Sequence, residues 1–489
     1  MNATIIVFGL YLVALLVITF YTARKSKTAD DFILGGKKIS GFSLALSERA
    51  TGESAWLILG LTGAAYYKGM QELWTAFGCV LGITFIWLVM SDRLRKEADK
   101  TGALTITSLI SKKYSGSERL IGTLSSLIVI FFLLFYIEAQ FYGGGKVLYD
   151  TFGLDPIWGI VIGSLVVVFY CMIGGFITVV ATDVFQAILM IISLIALPII
   201  LLVVASENNI QIAETIAKAN ESFNSLTAGK TGMPAVLLIL SGMSWALGYT
   251  GQPQLLTRMM AIKSKKDIKI AKWVAVFWTV IAYCGAIFIG LAGYAFVQSG
   301  VFSNDVVTRL SDVDSKGFEL IFPVVVNWFL LPVLAGFMLS GAISAMMSTA
   351  SSEIILCSSA ITEDIYGNYS KKKLTAKKAL WFNRLITLVV GLIAFGMALL
   401  VKDSVFGLVS YAWSGIGSSF GPALLLLLFW KKFSRAGVVA SLLSGTIGTI
   451  LWKNFFEKDT GISERLTSFV FALLMAILFS FLFPEKIKK

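Results

Sequence analysis

Ten residues, Ser344-Ala-Met-Met-Ser-Thr-Ala-Ser-Ser-Glu353, follow the apolar run Leu330–Ile343 and hold four Ser, one Thr and one Glu. At helical spacing Ala345, Ser348, Thr349 and Ser352 share one face, because residues three and four apart are neighbours. That face is small and rich in hydroxyl and carbonyl oxygen. Oxygen ligands suit a hard cation such as Na⁺, by the same reasoning that assigns Ca²⁺ and Mg²⁺ to oxygen sites. The same composition also suits a tight helix–helix seam, where Ser, Thr, Ala and Gly let backbones approach. On this stretch alone both readings stand.

The elements that must position these groups are membrane helices. The chain has 489 residues, 57% of them hydrophobic and only 14% charged, against about 25% charged in ordinary soluble domains. A mean hydropathy of +0.81 over this length describes an integral membrane protein with many spans. The net charge of +12 comes from bases in short loops between apolar runs, so it reports topology rather than nucleic-acid binding. Cys79, Cys171, Cys284 and Cys357 lie in apolar segments without a CxxC pair, which predicts neither disulfide nor metal. There is no His. That removes the commonest zinc ligand and every Ser-His or Cys-His nucleophile, so no enzyme is expected.

Stretches long enough to span a bilayer, about 20 residues each, are expected at 2–22, 40–66, 71–91, 120–148, 156–177, 183–204, 234–258, 273–298, 319–361, 380–401, 404–430, 437–453 and 466–484. The first has no basic n-region and no small-residue cleavage site, and reads as an uncleaved span. Most Lys and Arg fall in alternate loops, among them Arg24, Lys25, Lys27, Lys37, Lys38, the Arg93–Arg119 and Arg258–Lys272 groups, Lys371–Lys373 and Lys486, Lys488, Lys489. The asymmetry predicts an outer N-terminus and a cytoplasmic C-terminus in the inner (plasma) membrane. Span 319–361 exceeds one crossing; an outer segment to about Asn327 is expected to be re-entrant or interfacial, with the helix proper from about Trp328. The polar loops 205–233 and 299–318 have room for short helices.

Two spans are interrupted. Span 40–66 carries Ser47-Glu-Arg-Ala-Thr-Gly-Glu-Ser54, and span 234–258 carries Ser244-Trp-Ala-Leu-Gly-Tyr-Thr-Gly-Gln-Pro253. Charges in a membrane helix are expensive, and Gly-rich sequence ending in Pro breaks the hydrogen-bond ladder. Each interruption opens a five-span block, 40–204 and 234–430. Five is odd, so the second block inserts upside down. Interrupted helices at corresponding positions of two inverted halves point to a transporter site at the midplane. Segments 1–39 and 431–489 then flank this core, and 205–233 is an outer loop. Arg49 is read as the only base within the spans, against Glu48, Glu53, Glu138, Asp183 and Glu353. An Arg49–Glu353 pair is expected. Trp245 and Tyr249, four apart, would form an aromatic wall for a small solute.

Five stretches, Thr28–Ser40, Ala45–Leu61, Gly174–Met190, Trp245–Met260 and Ala345–Tyr366, resemble the sodium/solute symporter family, most closely its bacterial sodium/proline branch. The resemblance implies an all-α membrane fold of about thirteen helices around a LeuT-like five-plus-five inverted repeat, and Na⁺-coupled uptake. It carries over a Na⁺ site from backbone oxygens of Ala50, Glu53 and Ala345 with the hydroxyls of Ser348 and Thr349. A second Na⁺ site is matched by Asp183, Ser348, Ser351 and Ser352. Solute-facing residues map to Trp245, Tyr249, Pro253 and Tyr136, with Ser54 and Gln252 beside the interruptions. The chain departs from that branch at Gly52, where the branch has Asp, at Glu53, where it has an apolar residue, and at Glu48, Arg49 and Glu138, where it has no charges.

The expected function is import of a small solute, proline or another amino acid, with Na⁺ by alternating access. No nucleic acid or obligatory protein partner is expected. A proton-coupled symporter of an organic acid and a membrane solute sensor are the alternatives. The lack of a signalling domain after Lys489 weighs against the sensor.

Overall fold

The computed structural model describes residues 2–24, 29–35, 39–114, 116–370, 375–401 and 403–485. The loop bases Lys25, Lys27, Lys37, Lys38, Lys371, Lys372, Lys373, Lys486, Lys488 and Lys489, with Thr28 of the first matching stretch, lie outside them.

Among the described residues eleven helical runs are long and apolar enough to cross a membrane. Two of these, Gly41–Thr101 with 61 residues and Pro156–Glu207 with 52, far exceed the roughly 20 that one crossing needs. Each contains a glycine at positive φ, Gly69 (74°) and Gly175 (62°), a conformation that L side chains resist. Both runs are therefore interrupted at a glycine, while the sequence expectation was about thirteen spans.

The helices that concern the site are α1 (Asn2–Ala23), α2 (Gly41–Ala55), α3 (Leu73–Phe85), α4 (Glu118–Phe152), α5 (Pro156–Glu207), α6 (Gly232–Met243), α7 (Trp245–Tyr249), α8 (Pro253–Ala261), α9 (Lys265–Gln298), α10 (Pro332–Ser359), α11 (Ala376–Ala398), α12 (Val405–Phe429), α13 (Arg435–Leu451) and α14 (Glu464–Leu482). Their starts follow local chemistry: Ser40, Asp155, Ser264 and Ser404 each accept a first-turn backbone N–H through the side chain, which satisfies donors the helix leaves orphaned.

Burial sorts the bundle into centre and rim. Every residue of α8, and α2 from Leu44 to its end, is buried, as is nearly all of α10 from Met338 onward. By contrast α1 turns Ile6, Leu10, Val13 and Val17 outward. Small residues put α10 at the centre: a Cβ on Gly341 would meet the α5 backbone at Leu189, and one on Gly336 that of α1 at Thr4.

Both expected interruptions are present. In α2 the break falls at Ser54, a non-glycine at φ 46°, ψ −176°, a strain of order 1–3 kcal/mol that surrounding contacts must hold. In the second half, α7 ends at Tyr249 and α8 restarts with Pro253 in its first turn, where a missing N–H is harmless. The long span 319–361 divides as expected into Ile321–Phe329 and α10. Its main helix starts four residues beyond Trp328, because Leu331 is extended and Pro332 sets the first turn. The loops 205–233 and 299–318 hold the short helices Ile212–Ala217, Glu221–Asn224 and Asn304–Ser311.

Candidate functional site

At the α2 break the peptide turns out of helical geometry, and its freed donors are taken up locally. Gln140 of α4 accepts the Ala55 N–H through Oε1 at 2.8 Å, and Ser54 Oγ accepts the Trp56 N–H at 3.0 Å. Tyr136 donates its hydroxyl to Ser54 Oγ at 3.4 Å. Gln140 thus supports the break from α4.

Below the break α10 lies against α2, oxygen facing oxygen. Ser348 Oγ is 2.9 Å from the Ala50 carbonyl and 3.1 Å from that of Ala345. Thr349 Oγ1 is 2.9 Å from the carbonyls of both Thr51 and Ala345. Two hydroxyl protons therefore serve three carbonyls, so the cluster has surplus acceptor capacity. Four of the five expected oxygens, from Ala50, Ala345, Ser348 and Thr349, are brought together. The fifth differs: the Glu53 carbonyl accepts the Trp56 N–H, and it is the Thr51 carbonyl that meets α10. The two carbonyls are two residues apart on α2, and hydropathy does not encode which of them meets α10.

The charged residues pair differently from the sequence expectation. Arg49 binds Glu48 through Nε and Nη2, and Glu53 through Nη1 at 2.7 Å; Thr279 and Trp87 complete the group. The expected Arg49–Glu353 pair is absent. Nor is Arg49 the only interior base, since Arg258, Lys146 and Arg465 are also buried. Arg258 had been assigned to a basic loop because Lys263–Lys272 follow it, but α8 carries it into the bundle.

Arg258 bears directly on the second expected cation site. Its Nη2 donates to Asp183 Oδ2 at 2.9 Å and to Ser352 Oγ at 2.5 Å, its Nε to Ser47 Oγ at 2.8 Å and its Nη1 to the Gln254 carbonyl at 2.6 Å. Ser47 passes its own proton to Asp183 at 2.6 Å, and Thr51 and Ser352 hydroxyls are 2.9 Å apart. Ser351 donates to the Ser348 carbonyl at 2.9 Å. The guanidinium thus engages the oxygens that Asp183 and Ser352 would otherwise offer to a cation.

Glu353 is fully buried, and neither carboxylate oxygen has a hydrogen-bond partner. An unsatisfied buried polar group costs about 1–3 kcal/mol. Glu353→Met, of similar shape and apolar, is expected to raise stability by about that amount, read as a higher thermal midpoint of the purified protein. An unchanged or lower midpoint would mean that Glu353 has a partner in another state.

The expected solute-facing residues converge on the two breaks. Trp245 packs on Trp56 with ring centroids 4.3 Å apart, Tyr249 on Trp413 at 4.6 Å, and the Tyr249 and Tyr283 hydroxyls are 2.9 Å apart. Gln252 Nε2 donates to the Trp413 carbonyl at 3.0 Å, and Pro253 is buried beside it. Gly248 is required here because a Cβ would collide with the Trp413 indole. Trp56, Trp413 and Tyr283 were not singled out in the sequence; nothing in single-helix spacing separates them from ordinary core aromatics.

The profile of the sodium:solute symporter family matches residues 32–445. The chain belongs to that family. Among curated relatives of this symporter, the sodium/proline symporter of Escherichia coli (strain K12) is 33% identical over 479 residues, covering 98% of this chain and 93% of that protein. The osmoregulated proline transporter OpuE of Bacillus subtilis (strain 168) is 32% identical, covering 97% and 94%. A solved structure of a Na⁺-coupled sialic acid symporter, substrate-bound and outward-open, superposes with a TM-score of 0.83 at 19% identity over 99% of both chains. MhsT in complex with L-phenylalanine superposes at 0.53 and 15% identity, over 90% of this chain and 97% of that one. These likenesses establish the LeuT-like all-helical transporter fold expected from the sequence. The symporter's profile ends before α14, whose first turn closes over Trp245.

Proposed function

We propose that this symporter imports a small organic solute, with proline the first to test, by coupling it to Na⁺ entry across the plasma membrane. The single observation that carries the reading is the five-oxygen contact between the α2 break and α10, formed by Ala50, Thr51, Ala345, Ser348 and Thr349. A cation there bonds to both repeats at once. It therefore favours the arrangement in which α2 and α10 are close, a population shift that needs only this differential affinity. The names of the proline-transporting relatives support the choice of solute. The repeats would be 40–204 and 234–430, flanked by 1–39 and 431–489, with 205–233 and both the N-terminus and the Lys68–Glu72 turn outside.

Asp183 and Ser352 are engaged by Arg258, which supports one Na⁺ per cycle. Each Na⁺ crossing 100 mV contributes about 2.3 kcal/mol, enough for roughly fiftyfold accumulation at 1.4 kcal/mol per factor of ten. The solute would sit between the breaks, against Trp245, Tyr249, Tyr136, Ser54, Gln252 and Pro253. The Ala55 and Trp56 N–H groups are already taken, whereas α8 starts without a side-chain cap, so a solute carboxylate at a helix N-terminus would meet α8.

The test is uptake of labelled proline into proteoliposomes under an inward Na⁺ gradient, compared with an inward H⁺ gradient in Na⁺-free buffer. Concentrative uptake is expected only with Na⁺, with a Na⁺ Hill coefficient of about 1. Equal uptake driven by H⁺ alone would favour the proton-coupled alternative and end the Na⁺ reading.

A further inference from the structure

One chamber outside the oxygen cluster has a built floor. It measures about 470 Å³, lies at the Lys68–Glu72 end of the bundle, and reaches Phe406, Ser410 and Arg465. Arg465, in the first turn of α14, is 9% exposed. Its guanidinium carbon stands 4.5 Å from the centre of the Trp245 ring, a cation–π contact. Nη1 bonds Ser410 Oγ and lies 3.5 Å from Glu464 Oε1. Its Nε is buried with no partner.

The neighbours of this floor repeat the pattern. Trp245 Nε1 and Trp56 Nε1 are likewise buried without partners, and Phe406, which lines the chamber, packs on both indoles at 5.7 and 6.1 Å. Three N–H donors therefore gather with no acceptor supplied by the protein. Buried donors of this kind ordinarily find a partner, and all three groups donate without being able to accept. The surrounding charge is mixed, with a surplus of bases. Lys68 faces Glu72 at 3.4 Å, Lys453 faces Glu457 at 2.8 Å and Arg465 faces Glu464, while Lys230 adds a further base to the chamber lining. A cationic solute would be repelled here, and a carboxylate offers these donors a stronger, charge-assisted acceptor than a neutral hydroxyl.

We propose that the chamber floor is a recognition site for the carboxylate of the incoming solute, with Arg465 as its anchor. The Nε–Nη edge of a guanidinium is the fork that takes a carboxylate in two parallel bonds. Behind it the Trp245 ring packs on the guanidinium and the Trp56 ring packs on Trp245. This rests on the functional reading above and deepens it: it names the class, a carboxylate-bearing solute, and a specificity residue on a helix beyond the family-matched segment.

The experiment compares wild type, Arg465→Gln and Arg465→Lys in proteoliposomes, with prolinamide as a competitor lacking the carboxylate. Losing a charge-assisted fork should raise the KM for proline about tenfold or more in Arg465→Gln. The Na⁺ concentration for half-maximal uptake and the maximal rate should stay near wild type. Arg465→Lys should fall between, because an ammonium keeps the charge and loses the fork. Prolinamide should compete poorly with wild type and equally poorly with Arg465→Gln. A proline KM unchanged in Arg465→Gln would overturn the proposal, as would a loss of maximal rate alone. If Arg465→Gln does not fold, Arg465→Lys decides, and an unchanged KM there overturns it. Should wild type show no Na⁺-driven proline uptake, the transport reading fails by itself. Thermal shifts in detergent by proline, lactate and succinate against their amides then test the floor without any gradient. Acids that protect wild type no better than their amides would overturn the proposal.

Discussion

Replacing Ser348 or Thr349 by alanine is expected to raise the Na⁺ concentration for half-maximal uptake on the order of 10- to 100-fold, the range that losing a supporting contact brings in metal sites. Each hydroxyl bridges two carbonyls across α2 and α10, so removing it takes away one oxygen and loosens the other two. The solute KM at saturating Na⁺ should change little, because the aromatic wall around Trp245 and Tyr249 is untouched. The fold should survive, since one neutral hydrogen bond is worth about 1 kcal/mol. The double variant should lose Na⁺ activation within the accessible range. Na⁺-activation curves at fixed solute check this. Parallel rises in both constants would move the cation elsewhere.

Arg258→Gln is expected to destabilise the protein by about 3–5 kcal/mol, the cost of leaving a buried charge without its partner. Asp183 would keep only its bonds from Ser47 and Thr51, and the guanidinium that ties α2, α5 and α10 to α8 would be gone. Adding Asp183→Asn should recover much of the loss, because a neutral pair removes the orphaned charge. The single variant should also respond to Na⁺ in a way the wild type does not. Without the guanidinium, the Asp183 carboxylate and the Ser352 hydroxyl are open to a cation, so Na⁺ should raise the thermal midpoint of Arg258→Gln more than that of the wild type. Thermal unfolding of the wild type, both single variants and the double variant, with and without Na⁺, measures both effects. Additive losses in the double variant would show that the pair is not coupled.

Much of the architecture was legible without coordinates. The apolar helices, the division of 319–361, the short helices in loops 205–233 and 299–318 and the two interruptions all follow from hydropathy, Gly and Pro placement and charge within apolar runs. These are local properties, and the bilayer makes them decisive, because every backbone group in lipid must find its partner within the protein. The oxygen-rich face of Ser344–Glu353 was likewise readable, since helical periodicity alone puts Ala345, Ser348 and Thr349 together.

Partner choice was not legible, and the tertiary structure decided it. Arg49 sits within reach of Glu353 by depth, yet binds Glu48 and Glu53, one and four residues away. Arg258 looked like a loop base, yet α8 restarts inside the bundle and delivers it to Asp183. The Thr51 carbonyl meets Thr349 of α10, whereas that of Glu53 accepts the Trp56 N–H across the break at Ser54. Depth along a helix can be read from hydropathy. The angle around its axis beyond a break is set by packing against other helices, and in a charged interior that angle determines which groups pair and which wait for an ion or a solute.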